Sequence, residues 1–205
     1  MQVTLNKADL IAVDTMLAGI KNAYPRVVYR SINSTLGTSQ TFAAREIATV
    51  MNLSITHIKQ DFRQYKAGPS NLKGSLVAKG DPINLATFKG TTQTQKGISV
   101  RVLTTSPKTT IKHAFIWKRT TKSGSEAKTA FWRKEIQKRP YDKLMPYAYL
   151  AKTGIIERLP VETLTGPRIE DIYSRSAVLD KVLKFSGDKY AENINNQLTY
   201  EFSKL

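Results

Sequence analysis

The chain of 205 residues contains 32 Lys or Arg and 16 Asp or Glu, so its formal net charge at neutral pH is +16. It has no cysteine and only two histidines, His57 and His113, which excludes disulfides, thiolate catalysis and Cys-ligated or His-rich metal centres. There is no signal-peptide pattern and no run of about 18 apolar residues, so we expect a protein that is neither secreted nor membrane-spanning.

Helical periodicity dominates residues 1–66. Three helices are predicted, over Lys7–Tyr24, Arg26–Ser39 and Thr41–Tyr65. Asn6 is the expected N-cap of the first, and Pro25 ends or restarts it. Gly37 weakens the end of the second helix, and the Asn-Leu-Ser sequence at 52–54 favours a break in the third.

Short alternating runs rich in β-branched residues follow residue 70 and predict strands. The predicted strands are Leu72–Val77, Ile83–Phe88, Ile98–Leu103, Thr110–Trp117, Thr129–Arg133 and Arg158–Leu164. Turn-forming residues separate them, including a loop at 90–97. Residues 119–128 predict an exposed, mobile loop, so the middle of the chain fits a long basic hairpin.

Helical periodicity returns from Ile169 to Leu205, with Gly187 as a predicted break. The order of the elements predicts an α+β fold with N-terminal helices (1–66), a central antiparallel β-sheet carrying the basic hairpin (70–165) and C-terminal helices (166–205). We expect these three regions to form a single domain over residues 1–205.

A helix-turn-helix-like pattern lies within the third predicted helix. Ala48, Asn52 and Ile58 supply the small residue, the turn and the apolar residue that two closely crossing helices need. In a DNA-binding protein the second helix would present Thr56, His57, Lys59, Gln60 and Arg63 to the major groove. The same pattern also serves as a packing device within a larger α+β body, so both interpretations stay open.

Basic residues concentrate in the middle of the chain. Residues 101–160 carry a net charge of +10, against +7 for residues 1–100 and −1 for residues 161–205. The candidate contact residues for DNA or for an acidic partner are Lys118, Arg119, Lys122, Lys128, Arg133, Lys134, Lys138 and Arg139, interleaved with Phe115, Trp117, Phe131 and Trp132. Basic side chains neutralise phosphates and aromatic rings stack on bases. The alternative is a solvated hairpin whose aromatic residues pack inward at a period of two.

Catalytic patterns are weak in this sequence. His113 lacks a serine or cysteine pattern of the nucleophile-elbow type, and the Glu170-Asp171 pair fits a helix surface better than a general acid and base. There is no phosphate-binding glycine loop and no acidic cluster suited to a metal ion. We therefore expect a protein that is not an enzyme and holds no cofactor or metal.

Three stretches, taken in order, carry a family resemblance. The first is Arg-Ser-Ile-Asn-Ser-Thr at 30–35, followed by the helix-turn-helix-like segment. The second is the pair of segments 113–116 and 131–134, and the third is residues 159–167, which begin with Leu-Pro and end with Gly-Pro. Together they resemble the minor tail protein Z family of tailed bacteriophages. The structural positions of the family motifs correspond to Asn33, Thr35, Leu159, Pro160, Gly166 and Pro167.

The resemblance implies a virion protein, assembled in the bacterial cytoplasm, that completes the head-proximal end of the tail and joins it to the head or neck. It implies a homo-oligomeric ring, expected to be a hexamer, in contact with a tail terminator or tail tube and with head-completion proteins. The basic hairpin would face either the DNA lumen, with non-specific contact to genomic DNA, or an acidic partner. The alternative is a DNA-binding helix-turn-helix module with a regulatory or packaging role.

Overall fold

The computed structural model of the protein describes residues 23–120, 126–133 and 161–204. The chain divides into two compact units: residues 1–81 with 168–205 form unit 1, and residues 82–167 form unit 2. The order of helix, antiparallel strands and helices confirms the predicted α+β class. The predicted helix Lys7–Tyr24 lies outside the described residues except for its last two, and the single domain stays a prediction.

Two long helices form the body of unit 1. Helix α1 is Ala23–Val50, and the last helix of the chain, named α4 below, is Ser176–Phe202. Pro25 lies in the first turn of α1, where a backbone N–H has no helical partner to lose. The predicted interruption between Arg26–Ser39 and Thr41–Tyr65 is wrong, because α1 runs through Gly37 without a break. A single helical glycine costs only about 1 kcal/mol relative to alanine, and the flanking packing offsets it.

Small polar residues line the contact between α1 and α4. Ser31, Thr35 and Ser39 are buried and recur every four residues, so they lie on one face of α1. The Ser31 hydroxyl donates to the backbone oxygen of Asn193, and the Asn193 side chain donates to the Thr35 hydroxyl. These short side chains let the two helices approach closely while their polar atoms stay paired.

The α1 helix ends at a turn, as the residues at 52–54 predict. Ser54 caps helix α2 (Ile55–Gln60), its hydroxyl accepting a hydrogen bond from the backbone N–H of His57. The predicted helical continuation to Tyr65 is wrong, because Phe62–Tyr65 form strand β1, paired antiparallel with β2 (Ser75–Ala78). The Asp61 carbonyl accepts from the N–H of Lys79 at 2.8 Å, which draws the chain out of the helix and into the two-stranded ladder.

The C-terminal helices of unit 1 are α3 (Ile169–Tyr173) and α4. The predicted break at Gly187 is wrong, since α4 continues through it. Gly187 faces away from other atoms, whereas its neighbour Ser186 is buried against α1. Tertiary packing on that side therefore keeps the helix continuous through a residue of low helical propensity.

Unit 2 contains two three-stranded antiparallel sheets in its described part. The strands are β3 (Thr92–Thr94), β4 (Gly97–Val100) and β5 (Thr109–Lys112) in one sheet, and β6 (Ala114–Thr120), β7 (Glu126–Arg133) and β8 (Val161–Thr163) in the other. The expected single central sheet is therefore divided into these two and the β1–β2 pair of unit 1. Its core contains buried apolar residues of both sheets (Ile98, Val100, Ala114 and Ala130) and Phe88, which follows the 3-10 helix.

Three local predictions in unit 2 are wrong for identifiable reasons. Residues 83–88 are not a strand, because the Asn84 side chain accepts from the N–H of Ala86 and starts a 3-10 helix at Leu85–Thr87. The predicted loop at 90–97 contains β3, which pairs with β4. The predicted strand Thr110–Trp117 is two strands, divided at His113, whose φ of 61° interrupts the extended backbone.

Candidate functional site

The basic hairpin predicted from the sequence is formed by β6 and β7. The two strands pair antiparallel from Ala114 opposite Trp132 to Thr120 opposite Glu126. Lys118 lies directly opposite Lys128, and both side chains are exposed. Directly opposed like charges destabilise a strand pair. Contacts elsewhere in the hairpin must therefore offset the repulsion between these two lysines.

Two amide side chains fix the base of the hairpin. Asn84 Oδ1 accepts from the N–H of Ala130 at 2.7 Å, and its Nδ2 donates to the carbonyl of the same residue at 3.3 Å. On the other strand, Gln93 Oε1 accepts from the N–H of Ile116 at 2.8 Å, and its Nε2 donates to the carbonyl of Ala114. The outward-facing backbone groups of Ala130, Ile116 and Ala114 therefore have hydrogen-bond partners on both edges of the strand pair. The pair Lys118 and Lys128 lies further along the strands, toward the turn.

Phe115, Trp117 and Phe131 lie on the face of the hairpin opposite to Lys118 and Lys128. The Phe115 and Phe131 ring centroids are 5.9 Å apart and the Trp117 and Phe131 centroids are 6.3 Å apart, while Trp117 remains 53% exposed. Since opposed residues share a face and successive residues alternate, these rings face away from Lys118 and Lys128. Stacking by Trp117 and phosphate neutralisation by that lysine pair would therefore use opposite faces.

The remaining predicted contact residues are only partly described. Arg119 pairs with Ala127, and Arg133 pairs with Val161, but these positions are defined by backbone register alone. Lys122, Lys134, Lys138 and Arg139 lie outside the described residues. The structure thus brings together Lys118 and Lys128 from the predicted set.

The helix-turn-helix-like segment contains a very short second helix. Ile58 is fully buried, whereas Ala48 and Asn52 are half-buried. Helix α2 has six residues, and the Gln40 side chain donates to the carbonyl of Lys59 near its end. Arg63 lies in β1, so the five residues proposed for a major groove do not share one helix.

A carboxyl group lies just beyond α2. Burial raises the pKa of Asp61, the nearby His57 lowers it, and Asp81 raises it again. Gly80 approaches this carboxyl so closely that an added Cβ would lie 2.6 Å from Asp61 Oδ2. An acidic group at the end of α2 opposes the approach of phosphates to that helix.

The motif residues that the structure describes make long-range contacts. The Asn33 side chain accepts from the N–H of Ala67 at 2.8 Å and donates to its carbonyl at 3.0 Å. In unit 2, the Gly166 N–H donates to the carbonyl of Ile83, and an added Cβ at this glycine would lie 3.0 Å from the Phe88 ring. Pro167 is half-buried, and Leu159 and Pro160 lie outside the described residues.

Positive charge is concentrated in unit 2. Its sequence holds 16 Lys or Arg and 5 Asp or Glu, a net charge of +11, whereas unit 1 has a net charge of +5. Residues 82–125 include eight Lys or Arg and no Asp or Glu. Within this segment the structure groups Lys96, Lys112 and His113 around a cleft that sequence reasoning missed. The absence of Asp and Glu from residues 82–125 is the sequence feature that could have indicated this cleft.

Other classes of site are not evident in the part of the chain that the structure describes. That part has no group of three His, Cys, Asp or Glu able to hold a metal ion, and none of its helices is long and apolar enough to cross a membrane. Comparisons of the chain with protein-family profiles, with curated proteins and with solved structures returned no match.

Proposed function

We propose that this protein is a non-catalytic structural component of a tailed-phage virion that completes the head-proximal end of the tail and joins it to the head or neck. The observation that carries the proposal is the order of the three motif regions along the chain. Their described members support a structural role, because Asn33 binds the backbone of Ala67, Thr35 contacts Asn193 and Gly166 packs against Phe88.

The charge distribution supports contact with a polyanion or an acidic surface. Unit 2 carries a net charge of +11, and Lys118 and Lys128 present two exposed ammonium groups on one face of its hairpin. In a ring around a DNA channel, that face would lie at the lumen or against an acidic neighbour. By analogy we expect a homo-oligomeric ring, a hexamer, that binds a tail terminator or tail tube and head-completion proteins after assembly in the host cytoplasm.

The DNA-reading alternative receives less support. A recognition helix places several side chains along one groove, whereas α2 has only six residues and Arg63 belongs to a strand. We therefore interpret Ala48, Asn52 and Ile58 as a packing turn.

The oligomeric state tests the proposal directly. Light scattering of the full chain across salt concentrations, with negative-stain images alone and with added tail tubes, should show closed rings or ring formation on the tubes. A monomer that does not bind tail tubes but binds one DNA sequence tightly would overturn the proposal. It would favour the alternative of a DNA-binding regulatory module.

Charge reversal tests the role of the hairpin. The Lys118→Glu/Lys128→Glu variant should assemble less efficiently or retain less DNA, because it replaces the exposed positive pair with two negative charges. The Lys73→Glu/Lys79→Glu variant makes the same change in net charge on exposed residues of unit 1 and is the matched control. Equal behaviour of the two variants would assign the effect to net charge rather than to the hairpin.

A further inference from the structure

An open cleft in unit 2 lies where the β3–β4 turn meets the junction between β5 and β6. Its volume is about 460 Å³. The polar side chains around it are Gln93, Gln95, Lys96, Lys112 and His113. An adjoining cleft of about 430 Å³ is lined by Thr94, Gln95, Lys96, Thr110 and Lys112. The two lysines therefore border both clefts.

The strand register explains why these lysines are neighbours. Gly97 pairs with Lys112 across the β4–β5 ladder, and Lys96 immediately precedes Gly97 in the chain. Gly97 has a φ of 145°, and an added Cβ would lie 1.9 Å from the carbonyl oxygen of Ile111. Only glycine permits this close approach of the two strands, which brings the turn lysine beside the strand lysine.

His113 reaches the cleft through an unfavourable backbone conformation. Its φ of 61° lies in the left-handed region, which costs a non-glycine residue about 1 kcal/mol or more. This conformation turns the chain from β5 into β6 at the edge of the cleft. Backbone strain of this kind is concentrated at binding and active sites, where the surrounding structure maintains it.

The cleft offers cations and hydrogen-bond donors without an acidic group. No carboxylate is among its lining residues. Among the residues that the structure describes, no carboxylate forms an ion pair with Lys96 or Lys112. The two ammonium groups and the exposed Gln95 amide can donate to phosphate oxygens, and a concave surface concentrates their positive potential.

We propose that the cleft at Lys96, Lys112 and His113 binds successive phosphate groups of a nucleic-acid backbone without reading its sequence. The extension from one cleft into the next across two shared lysines favours a polynucleotide over a single free phosphate. The site uses different residues from the hairpin pair. It does not depend on the proposed role in the tail, because a phosphate cleft would serve any protein that contacts nucleic acid.

Fluorescence anisotropy with a labelled, mixed-sequence DNA of 20 nucleotides, single-stranded and duplex, measures the interaction across salt concentrations. The Lys96→Gln/Lys112→Gln variant should bind at least about tenfold more weakly at low salt. The slope of a plot of log Kd against log salt concentration should fall by about two, because two phosphate contacts are lost. Both lysines are exposed, so we expect an unchanged circular dichroism spectrum.

Two charge-matched variants separate the cleft from overall charge. Lys73→Gln/Lys79→Gln removes two exposed charges from unit 1 and should change affinity by less than about twofold at moderate salt. Lys118→Gln/Lys128→Gln reports the separate contribution of the hairpin. If the cleft variant binds DNA as the unit 1 control does, the proposal is wrong, whatever the oligomeric state turns out to be.

Competition identifies the ligand class. Unlabelled DNA of unrelated sequence should displace the probe efficiently, whereas inorganic phosphate at the same phosphate concentration should not. Displacement by inorganic phosphate at equal concentration would overturn the polynucleotide assignment in favour of a free-anion site. Equally effective displacement by polyglutamate of matched charge would overturn it in favour of an acidic protein partner.

Discussion

The hydroxyl oxygens of Ser39 and Ser186 lie 2.7 Å apart inside unit 1, although the two residues are 147 positions apart in the chain. Ser186 also donates to the carbonyl of Val182 at 2.7 Å, so Ser39 is the donor between the two hydroxyls. Both residues are buried, and their small side chains set the distance between α1 and α4. This contact joins the first and last described helices of the chain.

A double-mutant cycle should measure the coupling between these hydroxyls. Ser39→Ala and Ser186→Ala should each lower the free energy of unfolding by about 1 kcal/mol, with a coupling of about 0.5–1.5 kcal/mol. Urea unfolding of the wild type, both single variants and the double variant provides the four values. Ser34→Ala, on the exposed side of α1, is the control and should have little effect. Strict additivity would show that the hydroxyl pair contributes no stability of its own.

Glu201 should be the most sensitive of the acidic residues described in unit 1. Its side chain is 1% exposed and lies 3.7, 3.3 and 3.2 Å from the basic groups of Arg26, Arg30 and Lys204. Glu201→Gln leaves these partly exposed cations without their shared carboxylate and should cost about 1–3 kcal/mol in urea unfolding. Glu192→Gln removes a carboxylate from an exposed i,i+3 pair and should cost less than about 0.5 kcal/mol. Equal losses would contradict this interpretation.

Tyr190 should make the protein sensitive to alkaline pH. Burial, and secondarily Tyr24, raise the pKa of Tyr190 above its ordinary value of 10.0. The folded state then resists ionisation while the unfolded state ionises, so stability is fully present below pH 10 and falls as pH rises toward the folded pKa. Urea midpoints measured from pH 8 to 11 should fall less for Tyr190→Phe than for the wild type.

The same variant should not be destabilised at neutral pH. The Tyr190 hydroxyl is buried and makes no hydrogen bond to the described residues. Replacing it by hydrogen removes that desolvated group, so Tyr190→Phe should be as stable as the wild type at pH 7, or more stable by about 1 kcal/mol. A loss of more than about 1 kcal/mol at pH 7 would show that the hydroxyl has a partner in solution.

Two glycine substitutions should have opposite effects. Gly97→Ala places a Cβ against the Ile111 carbonyl and requires φ near 145°, so it should cost more than about 2 kcal/mol and disrupt the β4–β5 pairing. Gly187→Ala lies within α4 with no atom near the new methyl group and should stabilise the protein by about 0.5–1 kcal/mol. Thermal unfolding measures both, and destabilisation by Gly187→Ala would contradict a continuous α4 helix at this position.

The fold class, the turn after α1 and the basic hairpin could be predicted from the sequence alone. These features depend on local patterns: Asn and Ser residues that cap or turn, alternating β-branched residues, and charge that accumulates along a segment. The paired strands of the hairpin and the exposed Lys118 and Lys128 agree with that reasoning. The function inferred from the three motif regions stays a prediction.

Where local tendencies conflicted with packing, the outcome depended on contacts between distant segments of the chain. Gly37 and Gly187 do not break their helices, because packing between α1 and α4 outweighs a small loss of helical propensity. The buried Glu201 and the cleft at Lys96 and Lys112 depend on residues that are distant in sequence or that meet through strand register. Local patterns report propensity and charge, whereas burial and cross-strand neighbours are defined only once distant segments have packed together.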